Sequence, residues 1–133
     1  MATLFSKIIA GEIPSWKIAE TDDYFAFLDI NPLAVGHALV IPKRESAYIL
    51  DMEDQDLQGL IVFAKKVGKA IECVVPCKRM GLTVIGLEVP HTHIHLIPIN
   101  TIYDMDFKQP KLSLTDDEFS SLVKRIRERF QQD

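Results

Sequence analysis

The sequence has few cysteines, no surplus of positive charge and no long apolar run, and each shortage closes a route to function. Cys73 and Cys77 are the only two thiols. Three residues, Pro76 among them, lie between, and no further cysteine completes a four-thiolate zinc site. They are read as reduced, inert side chains. No apolar stretch approaches the ~20 residues of a membrane-spanning helix. Lys7 and Glu12 interrupt the region where a secretory leader keeps an unbroken apolar segment, so a cytoplasmic protein is expected, without a membrane partner. The formal charge is −4, with a pI near 5.5. That offers nucleic acid no broad basic surface. Lys65-Lys66, Lys78-Arg79 and the group from Lys124 to Arg129 are small or interleaved with acids, as on solvated helix faces. No repeat, low-complexity segment or internal boundary is visible, and 133 residues suffice for one domain with its own core.

What the chain does have is a concentration of histidine. Of four histidines, three stand in Val89-Pro90-His91-Thr92-His93-Ile94-His95-Leu96-Ile97-Pro98. Thr92 and Ile94 are β-branched and no glycine intervenes, which favours an extended segment. Extension would place His91, His93 and His95 on one face, neighbours ~7 Å apart. The fourth, His37, opens Gly36-His37-Ala38-Leu39-Val40-Ile41-Pro42, another short apolar run closed by proline.

Around these the chain reads as helix, strands, helix, strands, helix. Residues 3–11 suit a short helix, with Thr3 or Ser6 as its cap and Gly11 as its end. Residues 16–20 and 24–28 are β-prone runs joined by Thr21-Asp22-Asp23, followed by a strand over 38–41. From Asp51 to Pro76 a long helix is expected, with Leu57, Leu60, Ile61, Ala64, Val67, Gly68 and Ile71 as its apolar stripe. Residues 81–85 suit a strand returning into the histidine segment. A broken, polar stretch follows Pro98. Thr115 and Glu118 then form a capping box ahead of a helix whose stripe is Phe119, Leu122, Val123, Ile126 and Phe130. Short antiparallel strands interrupted by one long helix make the fold class α+β.

Three histidines in one row admit three chemistries. They could share a metal, although residues along one strand splay and no cysteine or acidic cluster at ligand spacing accompanies them. They could be hydrogen-bonded core residues, at the cost of burying three polar rings together. Or they could carry phosphoryl or nucleotidyl transfer, because a neutral imidazole attacks phosphorus and neighbouring rings can orient it and assist the leaving group.

The segment His91-Thr92-His93-Ile94-His95-Leu96-Ile97-Pro98 resembles the signature of the histidine-triad (HIT) family of nucleotide hydrolases and transferases. Residues 5–15, Phe25-Ala26-Phe27-Leu28-Asp29-Ile30-Asn31-Pro32 and residues 36–43 resemble that family's opening helix and two central strands. The resemblance covers residues 3–98 well and 99–133 poorly, so a triad core with a C-terminal extension in one domain of 1–133 is expected. It implies a five-stranded antiparallel sheet with one long and two shorter helices, usually as a homodimer. It implies that His93 is the nucleophile and becomes nucleotidylated, that the His91 carbonyl fixes its tautomer, that His95 contacts phosphate and leaving group, and that His37 supports from the next strand. Asp29 matches the carboxylate that binds the ribose hydroxyls. Leu4, Phe5, Ile8, Phe27, Ile30 and Leu39 match the pocket for the base, each with a plain core role as the alternative, and Glu88 is placed among the nucleotide-binding positions.

His95 stands where the family's transferase branch carries Gln, and the opening looks closest to the Hint-like branch, which cleaves adenosine phosphoramidates. The resemblance thus implies a purine-nucleotide (AMP-like) substrate, AMP release, and no metal or other cofactor. A weakly catalytic nucleotide-binding module and a dinucleoside polyphosphate hydrolase are the alternatives. Three departures stand out. Thr3 and Ser6 replace a Cys-x-x-Cys of many bacterial relatives, with Glu45 where those often have His. The loop before the triad is compressed to residues 84–88, where Leu87 has no donor for phosphate. The tail carries an added helix.

Overall fold

The computed structural model describes residues 3–130, so the expected domain of 1–133 runs beyond them at both ends. Strands β1 (Lys17–Glu20), β2 (Tyr24–Leu28), β3 (Ala38–Pro42), β4 (Arg79–Thr83) and β5 (Ile94–Ile99) form one sheet in the order β1-β2-β3-β5-β4. Every neighbouring pair is antiparallel. Helices α1 (Leu4–Ile9), α2 (Asp54–Val74) and α3 (Asp116–Arg129) complete the α+β fold, with 3₁₀ turns at Ile49–Asp51 and Ile102–Met105.

Alternation along the strands sends side chains to two different cores. Ala26, Leu28, Ala38, Val40, Ile94 and Leu96 face the long helix, where Leu60, Ala64, Val67 and Ile71 meet them, and α3 adds Phe119, Leu122, Val123 and Ile126. Phe25, Phe27, Leu39 and Ile41 face the other way, against Phe5 and Ile8 of α1, with Ile9, Ile13 and Val89 at the margin. His95 pairs with Leu39 of β3 and lies on this thinly covered side. One face of the sheet is therefore filled for stability, and the other is left partly open.

Local signals explain most element ends. The Thr3 side chain caps α1 by accepting from the Ser6 amide at 3.1 Å, and Gly11 follows the helix at φ +83°. The Thr115–Glu118 capping box forms with bonds of 2.8 and 3.1 Å. Gly36 turns the chain into β3 at φ +95°, where a Cβ would lie 3.0 Å from Val75 and 3.2 Å from Ile71 and Pro98. Only glycine fits that approach without strain.

Four expectations are corrected. β5 begins at Ile94, so His91 and His93 lie on a bend before it. The amide and hydroxyl of Thr92 both donate to the Ser46 carbonyl, at 2.6 and 2.9 Å, and His91 N–H donates to Val89 O at 2.8 Å. These bonds divert the chain from the ladder. The His93 and His95 ring centroids sit 4.9 Å apart. β4 occupies 79–83 and not 81–85, and α2 starts at Asp54 behind a 3₁₀ turn. The buried stripe of α2 includes Phe63 and Ala70, whereas Ile61 is 45% exposed. The stretch after β5 is irregular apart from one 3₁₀ turn, and Leu112 N–H donates to Pro32 O at 2.8 Å, tying it to the loop before β3.

Candidate active site

The proton positions in the histidine cluster follow from its partners. His93 Nδ1 lies 2.8 Å from the carbonyl oxygen of His91. A carbonyl has no proton to give, so Nδ1–H donates and Nε2 keeps its lone pair. Burial is the main cause holding the His93 pKa below the ordinary histidine range; the bond to His91 O and the Glu88 charge oppose it, while the His91 ring adds to it. The ring is thus neutral at pH 7, with a bare nitrogen that no described residue engages.

A second relay fixes His37 and His95. The Leu33 amide donates to His37 Nδ1 at 3.0 Å, which puts the His37 proton on Nε2. That Nε2 stands 3.0 Å from His95 Nδ1, which must accept, leaving the His95 proton on its own Nε2. Burial depresses both pKa values, with neighbouring positive charge as the lesser cause, to about 3 for His37 and about 4 for His95. His95 therefore presents an N–H beside the lone pair of His93. A neutral nucleophile next to a neutral donor is the basic arrangement that attack on a phosphoryl group needs.

Asp29 follows β2, and its Oδ1 accepts from Asn31 N–H at 2.8 Å. Burial raises its pKa, against the lowering effects of that amide and of Lys111. Its Oδ2 is 3.5 Å from His37 Nε2. Asp29, His37 and His95 offer ligand atoms within 4.8 Å of one another. Yet the lone pair of His37 Nδ1 is spent on Leu33, and Nε2 carries the proton, so His37 fits an ion poorly without losing both bonds.

Two cavities of about 270 Å³ each meet at these rings. The first gathers every expected nucleotide-binding position, Leu4, Phe5, Ile8, Phe27, Asp29, Ile30, Leu39 and Glu88, together with His93 and His95. Leu39 is 6% exposed, so it serves the core and the cavity wall together. Phe5 sets its ring edge-to-face on His93, with centroids 4.9 Å apart. The second cavity shares His93, His95, Glu88 and Val89, and adds Ile85, Leu87 and Phe107. A larger hollow of about 460 Å³ at the start of α2 is lined by acidic residues and Arg44 and contains no histidine.

His91 and His37 line neither histidine-bearing cavity; both are buried behind their neighbours. The sequence reading missed Phe107, whose ring packs edge-on to His95 at 4.8 Å, because it falls in an aperiodic stretch. It assigned Thr3 only as a cap, whereas the Thr3 hydroxyl also reaches His91 Nδ1 at 3.0 Å. No local pattern carries either fact.

Comparisons with known proteins concern the family and the fold. A family model described as "HIT domain" matches residues 10–102. An adenosine 5'-monophosphoramidase of Saccharomyces cerevisiae, HNT1, is 43% identical over 98 residues, covering 73% of this chain and 62% of that protein. The adenosine 5'-monophosphoramidase hnt1 of Schizosaccharomyces pombe is 36% identical over 129 residues, covering 95% and 96%. Among solved structures, a Hit-like protein involved in cell-cycle regulation from Bartonella henselae superposes with a TM-score of 0.83 at 30% identity, covering 96% of each chain.

Proposed function

The chain belongs to the HIT family of nucleotide-processing proteins, and on that premise we propose that it is a hydrolase releasing AMP from adenosine phosphoramidates through a covalent intermediate on His93. The observation that carries this reading is the free Nε2 lone pair of His93 at the junction of two cavities. The base and ribose take the first cavity, with Asp29 accepting from the ribose hydroxyls. His93 Nε2 attacks the α-phosphorus, the P–N bond breaks, and its electron pair leaves on nitrogen, which takes up a proton from solvent that the later attack of water returns. His95 Nε2–H steadies the charged oxygens and the departing group. The positive charge that His93 acquires is met by His91 O at Nδ1–H. Water then attacks the phosphorus and restores His93, so that phosphoramidate and water give AMP and amine. The mechanism uses only side chains and backbone, with no metal or cofactor.

The second cavity favours an amine leaving group over a polyphosphate one. Ile85, Leu87, Val89 and Phe107 make it apolar, Glu88 makes it acidic, and no lysine or arginine lines it. A polyphosphate group would meet a carboxylate there and no cation; a dinucleoside polyphosphate is thus the poorer substrate. A cytoplasmic setting accords with the free thiols Cys73 and Cys77, and among the described residues no helix is long and apolar enough to cross a membrane. A homodimer is part of the proposal. Its support is the unpaired edge of β4, with Leu82 47% exposed, and the bare Ile61 and Val62 on α2.

The test is AMP release from an adenosine phosphoramidate, with intact-protein mass after a single turnover. A mass gain of one adenylyl group that vanishes in His93→Ala is expected; no AMP release by the wild type would end the proposal. One observation favours a second reading, a binding module without useful turnover: Leu87, in the loop before the triad, is 89% exposed and offers phosphate no side-chain donor. Tight AMP binding with no adduct would select it.

A further inference from the structure

We propose that Thr3 is a positioning residue for the nucleophile, holding His91 so that its carbonyl keeps the His93 proton on Nδ1. The proposal rests on the reading of His93 as nucleophile. His91 is fully buried and held at both ring nitrogens. Its Nε2 lies 2.8 Å from the Pro42 carbonyl, which only accepts, so Nε2–H donates and Nδ1 is bare. The atom facing Nδ1 is Thr3 Oγ1 at 3.0 Å. The Thr3 hydroxyl, nearer to this bare nitrogen than to Ser6 Oγ at 3.3 Å, therefore donates to His91, while its oxygen accepts from the Ser6 amide at 3.1 Å. A chain of hydrogen bonds results, from Ser6 N–H to the Thr3 hydroxyl and from that hydroxyl to the His91 ring, while His93 Nδ1–H donates to the His91 carbonyl.

The terminus of α1 is thereby bonded to the reacting centre, although Thr3 lies 88 residues from His91 in sequence. Phe5, two residues along, presses edge-on against both rings, with centroids 5.9 Å from His91 and 4.9 Å from His93. The helix thus locates the nucleophile by one hydrogen bond and one aromatic contact. Without the Thr3 hydroxyl, a buried nitrogen loses its only donor, and the His91 ring must turn or draw in a proton or water to recover one. Either change shifts the carbonyl that fixes the His93 tautomer. A His93 protonated on Nε2 has no lone pair to aim at phosphorus.

The experiment pairs Thr3→Val, which keeps the shape and removes the hydroxyl, with Thr3→Ser, which restores it. Histidine ¹⁵N chemical shifts and kinetics on an adenosine phosphoramidate are read for both. The wild type should show His91 protonated on Nε2 and His93 on Nδ1. In Thr3→Val the His93 signal should shift towards a mixture of tautomers, with kcat reduced ~10- to 100-fold and KM within ~3-fold, as for a misaimed nucleophile in an intact pocket. Thr3→Ser should recover both. An unchanged His93 tautomer and kcat in a folded Thr3→Val would overturn the proposal. So would His91 protonated on Nδ1 in the wild type, whether or not the variant folds. If the wild type releases no AMP, the proposed function fails, and the ¹⁵N shifts still decide whether Thr3 sets the tautomer.

Discussion

Mild acid should weaken this fold, and the histidine relay sets by how much. His37 and His95 are pushed from the ordinary 6.5 down to about 3 and about 4 by burial. Below pH 6.5 the unfolded chain binds protons that the folded chain refuses, so stability is intact above that value and falls as pH drops towards the folded pKa values. From pH 6.5 to 5 each ring contributes a loss of about 2 kcal/mol, at 1.36 kcal/mol per pH unit. Both folded values lie below pH 5, so the two rings together lose up to ~4 kcal/mol, and His93, lowered by burial as well, acts in the same sense. That is a large part of the ~5–15 kcal/mol typical of a whole domain. Urea unfolding at pH 7 and pH 5 measures it, followed by the fluorescence of Trp16, the only tryptophan, which stacks on Phe119 at 5.7 Å. His37→Gln removes one titrating ring and should reduce the loss between the two pH values by about 2 kcal/mol. Asp29, whose pKa burial raises, acts in the opposite sense, and for that reason the difference between wild type and variant is the decisive quantity. A wild type that loses less than ~1 kcal/mol, or a variant that loses as much as the wild type, would refute the neutral buried pair.

Two further outcomes follow from the same coordinates. Phe107→Ala should raise KM for the phosphoramidate of an aromatic amine by ~5-fold, the worth of about 1 kcal/mol for one lost ring contact, with a much smaller change for methylamine. Equal changes for both amines, measured by steady-state kinetics, would remove Phe107 from the leaving-group side. Gly36→Ala should cost ~1–3 kcal/mol, because the backbone is left-handed there and the new methyl meets Val75 at 3.0 Å. An unchanged thermal midpoint would contradict that contact.

Much of this was legible from the residues. The apolar runs at 24–28 and 38–41 and the capping box at Thr115 follow from local pattern, and local pattern is what those elements depend on. The grouping of His37 with the later histidines came from the family resemblance, because the His37 and His95 rings lie 58 residues apart in the chain. The histidine segment misled because its β-branched spacing says extended, while three hydrogen bonds to Ser46 and Val89 bend it before Ile94. Those partners are set by tertiary folding. On α2 the periodicity identified the helix but not which way it turned, so Ile61 was assigned inward where Phe63 points. A stripe wide enough to include both residues cannot say which edge of it the sheet will cover. Phe107 and the second role of Thr3 were beyond reach for a related reason: each matters through one contact to a residue distant in the chain.

The meeting of both cavities at the same two rings sets the order of events that the proposed reaction would follow. With a nucleoside on the Asp29 side and its phosphorus on His93, as proposed, the space bordered by Phe107 is the other cavity at these rings and the route left for water. That space is occupied until the first product has gone. Under the proposed reaction, a bulky amine that lingers in that space should hold the adenylylated protein in waiting.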